Sequence, residues 1–317
     1  SKRKKRIHQF YPLIQKKMKT KLLILFFLFF SIHRVYTQNQ KAISTKGSIN
    51  QTLAFKSTIL GYDVHYAIYL PPDYALSDKH YPVLFLLHGY TDDHTSWIKQ
   101  GKINTIMDKG IAKGEIEPMI LIIPDGKYFW YINDYQSVAR YEDFMFKEFL
   151  PFIDKTYKTI PNKEHRAVAG LSMGGYGALV WAMHHPDTFS YCIALSASMF
   201  TNEGLINMPD KLYSFMSLLY GAPNAYGNER ITEHFLKNSP LHMAENMTSD
   251  SLKAVTWFID CGNEDPLKEV NATLHKLLTK KNIEHIYHAR KGKHNWKFWR
   301  EGIYQGLKYV SEGFRTK

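Results

Sequence analysis

This chain contains few cysteines, and its N-terminal segment contains no acidic residues. Only two cysteines occur in 317 residues, too few for a disulfide framework or a cysteine-rich zinc site. The formal net charge is +12, yet residues 1–37 contain ten Lys or Arg and no Asp or Glu. The other 280 residues carry 31 basic and 29 acidic side chains. Because this larger part is nearly neutral, no nucleic-acid partner is expected.

Residues 1–37 also lack an apolar run long enough to span a bilayer, which requires about 20 residues. The apolar run from Leu22 to Ile32 has 11 residues and follows the basic stretch Met18–Lys21. This order is typical of a signal peptide, with cleavage expected near Thr37. The sequence therefore predicts a secreted or periplasmic protein with no membrane span after signal removal. An uncleaved membrane anchor is the alternative.

Neither a linker nor a repeat follows residue 40, so residues 38–317 are predicted to form one domain. The alternating runs Leu53–Leu60 and Tyr62–Leu70 predict a hairpin, and the apolar runs Val83–Leu87 and Met119–Ile123 predict buried strands. Further strands are predicted at 166–169, 191–195, 254–259 and 284–289, with helices at 95–112, 139–153, 173–185, 266–280 and 296–310. This alternation indicates an α/β fold: a mostly parallel, doubly wound sheet with antiparallel N-terminal strands. Residues 197–250 break the alternation and predict a lid-like insertion over the carboxyl edge of the sheet.

One sequence motif predicts a catalytic residue. Gly170-Leu171-Ser172-Met173-Gly174 matches Gly-x-Ser-x-Gly and lies between a predicted strand and a predicted helix. In this context the serine occupies a sharp, strained turn that only small flanking residues permit, and the helix N-terminus beneath it favours negative charge. Ser172 is therefore the candidate nucleophile. A glycine-rich turn with a helix-capping serine is the alternative.

A nucleophilic serine needs a histidine base and a carboxylate that orients it. In this fold the chain order is serine, acid, histidine. His294 lies on a glycine-containing loop after the last predicted strand and is the candidate base. Asp265 follows the preceding strand and precedes a helix, so it is the favoured acid, although it could instead cap that helix. Asp260 and Glu264 are the other candidates for the acid.

Six short motifs together resemble a known family. They are Leu87-His88-Gly89, Pro124-Asp125-Gly126, Trp130-Tyr131, Gly170–Gly175, Gly262–Asp265 and Gly292–Trp296. The chain is similar over residues 50–312 to the putative-esterase (esterase D-like) group of α/β-hydrolases. That group includes the feruloyl and acetylxylan esterases of carbohydrate esterase family 1, S-formylglutathione hydrolases and mycolyltransferases.

The resemblance implies an α/β-hydrolase fold and a catalytic triad of Ser172, Asp265 and His294. It also implies that the backbone amides of Met173 and Tyr90 form the oxyanion hole, with His88 in a structural role. The sequence shows no separate carbohydrate-binding module, which departs from some members of the family and weakens the expectation of a polymeric substrate.

Two other groups of residues are not expected to bind a metal ion or to form a disulfide. Asp92-Asp93-His94 could hold a metal, but a solvated loop is the favoured reading, and neither a metal nor a cofactor is expected. If their strands are adjacent and parallel, Cys192 and Cys261 are offset by four residues or about 13 Å, beyond disulfide reach, which predicts two free thiols.

Trp130 and Tyr131 follow a core strand and are expected at the rim of the cleft as substrate-binding residues, where aromatic rings suit a flat or sugar-like ligand. A lid packing on itself is the alternative reading of these rings.

These features together predict a secreted serine esterase that works through an acyl-enzyme. The expected substrates are small-molecule or oligosaccharide esters, with feruloyl ahead of acetyl esters of plant cell-wall carbohydrate. Acyl transfer to a sugar hydroxyl, an activity like that of S-formylglutathione hydrolases and a non-catalytic carbohydrate-binding surface protein are the alternatives.

Overall fold

A single sheet of eight strands organises the part of the chain that this computed structural model describes, residues 45–316. The strands are β1 Ser48–Lys56, β2 Asp63–Leu70, β3 Val83–Leu87, β4 Ile120–Pro124, β5 Arg166–Leu171, β6 Tyr191–Leu195, β7 Thr256–Asp260 and β8 His285–His288. Their spatial order is β1-β2-β4-β3-β5-β6-β7-β8. The pairs β1–β2 and β2–β4 are antiparallel, and all the other pairs are parallel. The signal-peptide prediction for residues 1–37 lies outside the described residues.

Burial along the strands follows their position in the sheet. The edge strand β1 alternates exposed and half-buried residues, whereas every residue of β3, β4, β5 and β6 is buried. Continuous apolar runs are what strands covered on both faces require. The predicted hairpin is confirmed, with β1 beginning at Ser48 and the turn using Gly61 at φ 77°.

Helices cover both faces of this sheet. They are α1 Ser96–Lys99, α2 Ile103–Ala112, α3 Tyr141–Phe144, α4 Leu150–Thr156, α5 Met173–His184, α6 Asn202–Ile206, α7 Asp210–Tyr220, α8 Glu233–Lys237, α9 Pro240–Asn246, α10 Ser249–Lys253, α11 Lys268–Lys280 and α12 Trp296–Arg315. The apolar sides of α2 and α12 pack on one face, and those of α5 and α11 pack on the other. The predicted doubly wound α/β fold is confirmed.

Two predicted helices are interrupted. The 95–112 segment divides into α1 and α2 because Lys102 adopts left-handed backbone at φ 54°. Gly101 precedes it, where a Cβ would lie 2.5 Å from the Trp97 carbonyl oxygen. The 139–153 segment is helical from Tyr141 to Thr156, with a π-helical turn at Met145–Phe149 between α3 and α4.

The predicted insertion is confirmed as the five short helices α6–α10 between β6 and β7. The buried side chain of Arg230 connects segments in the first part of the insertion. Arg230 is 2% exposed, and its guanidinium pairs with Asp210 and donates to several backbone carbonyls, among them those of Met208 and Ala225. The insertion also contacts the first turn of α5, which follows the carboxyl end of β5, since the Tyr176 hydroxyl donates to the Asn238 carbonyl at 2.7 Å.

The two cysteines are both buried and unpaired. β6 and β7 are parallel neighbours, with Leu195 opposite Asp260, so the predicted four-residue offset between Cys192 and Cys261 is confirmed. Burial raises the pKa of the Cys261 thiol to about 12, which keeps it protonated. Within residues 45–316, no helix combines the length and the apolar character that crossing a bilayer requires.

Candidate active site

Ser172 occupies a strained turn between β5 and α5. Its backbone adopts φ 53° and ψ −116°, a conformation that non-glycine residues rarely adopt. The turn is possible because its flanks lack side chains: a Cβ on Gly170 would lie 2.2 Å from the Gly174 carbonyl oxygen, and one on Gly174 would lie 2.4 Å from the Leu87 carbonyl oxygen. The Ser172 amide is fixed by a 2.9 Å bond to the Leu195 carbonyl.

Three side chains form one hydrogen-bonded chain at this edge of the sheet. His294 Nε2 lies 3.1 Å from Ser172 Oγ, and His294 Nδ1 lies 2.9 Å from Asp265 Oδ2. A proton on Nδ1 is donated to the carboxylate, which leaves the Nε2 lone pair facing the serine hydroxyl. The structure thus brings together the nucleophile, base and acid candidates chosen from the sequence.

Asp265 is the carboxylate that reaches the histidine. Its side chain is buried, while the His294 ring remains 28% exposed. Burial works against ionisation of Asp265, but hydrogen bonds from His294 and the Leu267 amide outweigh it and hold the pKa of this carboxyl below its usual value. Asp265 does not cap α11, because that helix begins later, at Lys268.

The two other candidate acids have different partners. Asp260 is fully buried at the end of β7 and pairs with Arg290 at 2.8 Å. Burial, only partly offset by this guanidinium, raises the pKa of Asp260. Glu264 is partly exposed and lies 3.8 Å from the Lys293 ammonium. Neither carboxylate contacts His294 through a hydrogen bond within the described residues.

Two backbone amides beside the nucleophile are without hydrogen-bond partners among residues 45–316: those of Met173 and Tyr90. β3 and β5 pair in parallel with Leu87 opposite Gly170, so Tyr90 and Met173 stand three residues beyond the same register position. A Cβ on Gly89 would lie 3.8 Å from Ser172 Cβ, which shows how closely the β3 loop approaches the serine. Donors so placed can stabilise an oxyanion.

His88 and Tyr131 hold that loop in place. The buried His88 ring bonds the Gly89 carbonyl at 2.8 Å through Nδ1 and accepts from the Gly126 amide at 2.9 Å through Nε2. The Tyr131 hydroxyl accepts from the His88 amide at 2.9 Å and donates to the His88 carbonyl at 3.0 Å. Both rings therefore brace the segment that carries Tyr90.

The expected position of Trp130 and Tyr131 at the rim of the cleft is wrong. Tyr131 is completely buried, and Trp130 is 5% exposed. Left-handed backbone at both residues, φ 56° and 65°, places their side chains in the interior. The Tyr131 ring occupies space left by two glycines, since a Cβ on Gly126 or Gly177 would lie within 2.6 Å of it.

The exposed aromatic side chains near the nucleophile are different residues. Tyr90 is 36% exposed, and its ring centroid lies 6.1 Å from that of Phe215 of the insertion, which is 56% exposed. The Trp130 ring lies beneath them, 6.4 Å from Tyr90 and 5.3 Å from Tyr176. Tyr176 is one helical turn from Ser172, so this aromatic group borders the reacting serine.

The residues that support Asp265 were not predicted from the sequence. Ser196, fully buried at φ 45°, accepts a 3.1 Å hydrogen bond from Trp299 Nε1, and its hydroxyl contributes to the lowered pKa of Asp265. The Trp299 ring also meets the His294 ring edge to face, with centroids 4.8 Å apart. Ser196 directly follows the buried strand β6, and a polar residue at that position is the sequence signal that could have indicated this role.

The Asp92-Asp93-His94 segment is a loop in which Asp93 and His94 form hydrogen bonds with backbone groups. Asp93 Oδ1 accepts from the Thr95 amide at 2.7 Å, and His94 Nε2 bonds the Gln51 carbonyl at 3.1 Å. Across the described residues, no group of three or more His, Cys, Asp or Glu side chains is arranged to hold a metal ion.

The strand order, the strained serine turn and the order of the three side chains define an α/β-hydrolase. Residues 57–310 match the model of the esterase family that bears the description "Putative esterase", and the chain belongs to this family. The resemblance found in the sequence is confirmed.

Three known proteins illustrate the relationship. An endo-1,4-beta-xylanase/feruloyl esterase of Xylanibacter ruminicola is 34% identical over 160 residues, which is 47% of this chain and 22% of that protein. An acetyl esterase of Caldicellulosiruptor saccharolyticus is 24% identical over 243 residues, 72% of this chain and 83% of that protein. A solved structure of a ferulic acid esterase superposes with a TM-score of 0.72 at 29% identity, covering 85% of this chain and 99% of its own.

Proposed function

We propose that this chain is a serine esterase in which Ser172, His294 and Asp265 carry out hydrolysis through an acyl-enzyme. The observation that carries the proposal is the continuous hydrogen-bonded chain from Ser172 Oγ through His294 to the buried Asp265 carboxylate. It is supported by membership of an esterase family.

The proposed reaction has two halves. Ser172 Oγ bonds to the ester carbonyl carbon as its proton passes to His294 Nε2, while the amides of Met173 and Tyr90 donate to the new oxyanion. The imidazolium then protonates the leaving alcohol as the ester C–O bond breaks. Water attacks the acyl-enzyme with the same histidine as base, which releases the carboxylic acid and restores Ser172. Asp265 holds the ring orientation throughout, and the steps need no metal ion.

The aromatic surroundings of Ser172 support an aromatic acyl group. Trp130 Nε1 is buried without a hydrogen-bond partner among the described residues, and the Trp130 ring lies 6.4 Å from the Tyr220 ring. A buried donor among aromatic rings suits a substituted phenyl group that can stack and accept a hydrogen bond. A feruloyl group carries both the ring and the oxygens, so feruloyl esters are proposed as better substrates than acetyl esters.

The setting of the reaction is proposed to be outside the cytoplasm. The basic stretch and short apolar run before residue 38 are the features that support export. Export would place the enzyme among polysaccharide esters rather than glutathione thioesters. The names of two relatives, an endo-1,4-beta-xylanase/feruloyl esterase and an acetyl esterase, support feruloyl and acetyl esters as substrates, and we infer that plant cell-wall carbohydrate carries these esters.

A hydrolysis panel tests this proposal. Methyl ferulate, p-nitrophenyl acetate, acetylated xylo-oligosaccharides and S-formylglutathione would be compared by kcat/KM, with and without EDTA. We expect hydrolysis of the first three, feruloyl turnover ahead of acetyl and no effect of the chelator. Robust deacetylation without feruloyl hydrolysis would reverse the substrate order. No ester hydrolysis at all would refute the proposal. Ferulate transferred to an added sugar faster than to water would replace hydrolysis with acyl transfer.

A further inference from the structure

A groove lined by positive charge runs along one flank of the molecule, between α2 and α12. It is a recess of about 500 Å³. Its rim carries five cations, Lys102, Lys109, Lys113, Lys297 and Arg300, against a single carboxylate, Glu301. The part of the chain beyond residue 37 is nearly neutral, so this concentration of one sign is local.

The cations form two rows. Lys109 lies on α2, and Lys102 and Lys113 are the residues directly before and after that helix, so this row follows the whole length of α2 along the recess. Lys297 and Arg300, three residues apart on α12, face them across the recess. At a rise of about 1.5 Å per residue, the α2 row extends over roughly 16 Å.

Most of these charges have no carboxylate partner. Within residues 45–316, Lys102, Lys109 and Lys297 are in no ion pair, and Arg300 donates only to the Gln100 carbonyl. Lys113 lies 3.9 Å from Glu115, at the outer limit of an ion pair. Exposed cations without partners remain available to an anionic ligand.

The floor between the rows is largely apolar. Ile106 of α2 and the Tyr304 ring of α12 lie between the charged side chains. The floor therefore suits the C–H face of a sugar ring, while the rim suits carboxylates. The large exposed apolar side chains of the described residues all lie elsewhere, none on α2 or α12, which argues against insertion into a membrane surface.

The end of the groove at Lys102 and Lys297 lies close to His294. The His294 ring contacts Trp299 at 4.8 Å between centroids, and Trp299 contacts Trp296 at 5.4 Å. A Cβ on Gly101, next to Lys102, would lie 2.9 Å from the Trp296 ring. Both helices also begin at the carboxyl edge of the sheet, where Ser172 is located.

We propose that this groove binds a segment of acidic polysaccharide, a chain bearing uronic acid groups, and so directs the enzyme to esters carried by such chains. The inference rests on the proposed esterase function and names the polymer that bears the ester. An extended chain that enters the cleft at Ser172 could continue past Trp296 into the groove, with its carboxylates between the two rows of cations.

Affinity electrophoresis of the full chain tests the groove directly. Migration through gels containing glucuronoxylan or neutral arabinoxylan would be compared for wild type, Lys102→Glu/Lys109→Glu and the control Lys253→Glu/Lys280→Glu. The control lysines are also exposed but lie at the opposite, amino edge of the sheet. Methyl ferulate turnover and thermal melting would be measured for all three proteins.

We expect wild type to prefer glucuronoxylan at low salt and the groove variant to lose about fivefold or more in affinity for it, since two attractive charges become repulsive. The control should bind like wild type, and about 0.3 M salt should weaken the preference because the Debye length shortens to a few ångströms. All three should hydrolyse methyl ferulate equally.

Equal retention of wild type by both polymers, or equal losses in the control variant, would overturn the inference. Co-sedimentation with anionic phosphatidylglycerol vesicles in place of glucuronoxylan binding would assign the groove to a membrane surface instead. A wild-type protein that hydrolyses methyl ferulate but does not discriminate between the polymers would refute the groove alone. Absence of ester hydrolysis would refute the proposed function.

Discussion

Replacing Trp130 by phenylalanine should test whether its buried indole nitrogen recognises the acyl group. Trp130 is 5% exposed, and its Nε1–H has no acceptor among the described residues. Phenylalanine keeps a ring against Tyr90 and Tyr176 but removes the donor. Alanine would be a poorer probe, because emptying a site of this size costs about 3–5 kcal/mol of stability.

The expected effect follows from the strength of one hydrogen bond. A buried N–H that gains an acceptor only in the complex contributes about 0.5–1.5 kcal/mol, or roughly two- to tenfold in kcat/KM. Wild type should therefore favour methyl ferulate over methyl cinnamate, which has the same ring without its oxygens, and Trp130→Phe should lose that preference. Hydrolysis of methyl cinnamate and p-nitrophenyl acetate should change little.

The assay compares the two proteins on three esters, methyl ferulate, methyl cinnamate and p-nitrophenyl acetate, under identical conditions, with thermal melting to confirm that the variant is folded. A Trp130→Phe enzyme that keeps the full preference for ferulate over cinnamate would refute the assigned hydrogen bond. An equal loss on all three esters would assign Trp130 to packing around the nucleophile.

Further outcomes concern the acid and a partly buried ion pair. Asp265→Asn should lower kcat by about 10⁴-fold without unfolding the protein, whereas Asp260→Asn should cost about 3 kcal/mol of stability and keep kcat; the opposite pattern in kinetics and melting would reverse the acid assignment. Burial opposes ionisation of Glu142, but hydrogen bonds from two histidines, His184 foremost, outweigh it and lower its pKa to about 2, while the same pairing outweighs burial to raise the pKa of His184. The pairing should therefore stabilise the fold most between about pH 4.5 and 6.5, weakening at lower pH as Glu142 protonates and at higher pH as His184 loses its proton. The stability difference between wild type and Glu142→Gln should peak in that window, and a pH-independent difference in unfolding free energy would contradict the linkage.

Much of the fold and the three central side chains were predictable because short-range patterns encode them. Wholly apolar strands, such as β3 and β4, mark a sheet covered on both faces. The Gly-x-Ser-x-Gly turn requires glycines at fixed positions, because Gly170 and Gly174 meet neighbouring backbone atoms. Residues that follow parallel strands meet at one edge, so the loops carrying Asp265 and His294 could be expected beside Ser172.

The unpredicted features depend on contacts between distant segments. Trp130 was expected at the rim, but its burial depends on left-handed backbone and on the insertion packing over it. The Ser196–Trp299 bond joins residues 103 positions apart. The charged groove requires α2 and α12 to lie side by side, although nearly 200 residues separate Lys102 from Lys297. No local pattern encodes such pairings.

The nucleophile is the part of the account on which the rest depends, and covalent trapping tests it most directly. The enzyme would be treated with a fluorophosphonate and its peptides analysed by mass spectrometry, alongside kinetics of Ser172→Ala. We predict a single adduct on Ser172, abolished by a serine-to-alanine exchange that lowers kcat by about 10⁴- to 10⁶-fold while the protein stays folded. An adduct on another residue, or a folded Ser172→Ala protein with near wild-type turnover, would contradict the mechanism.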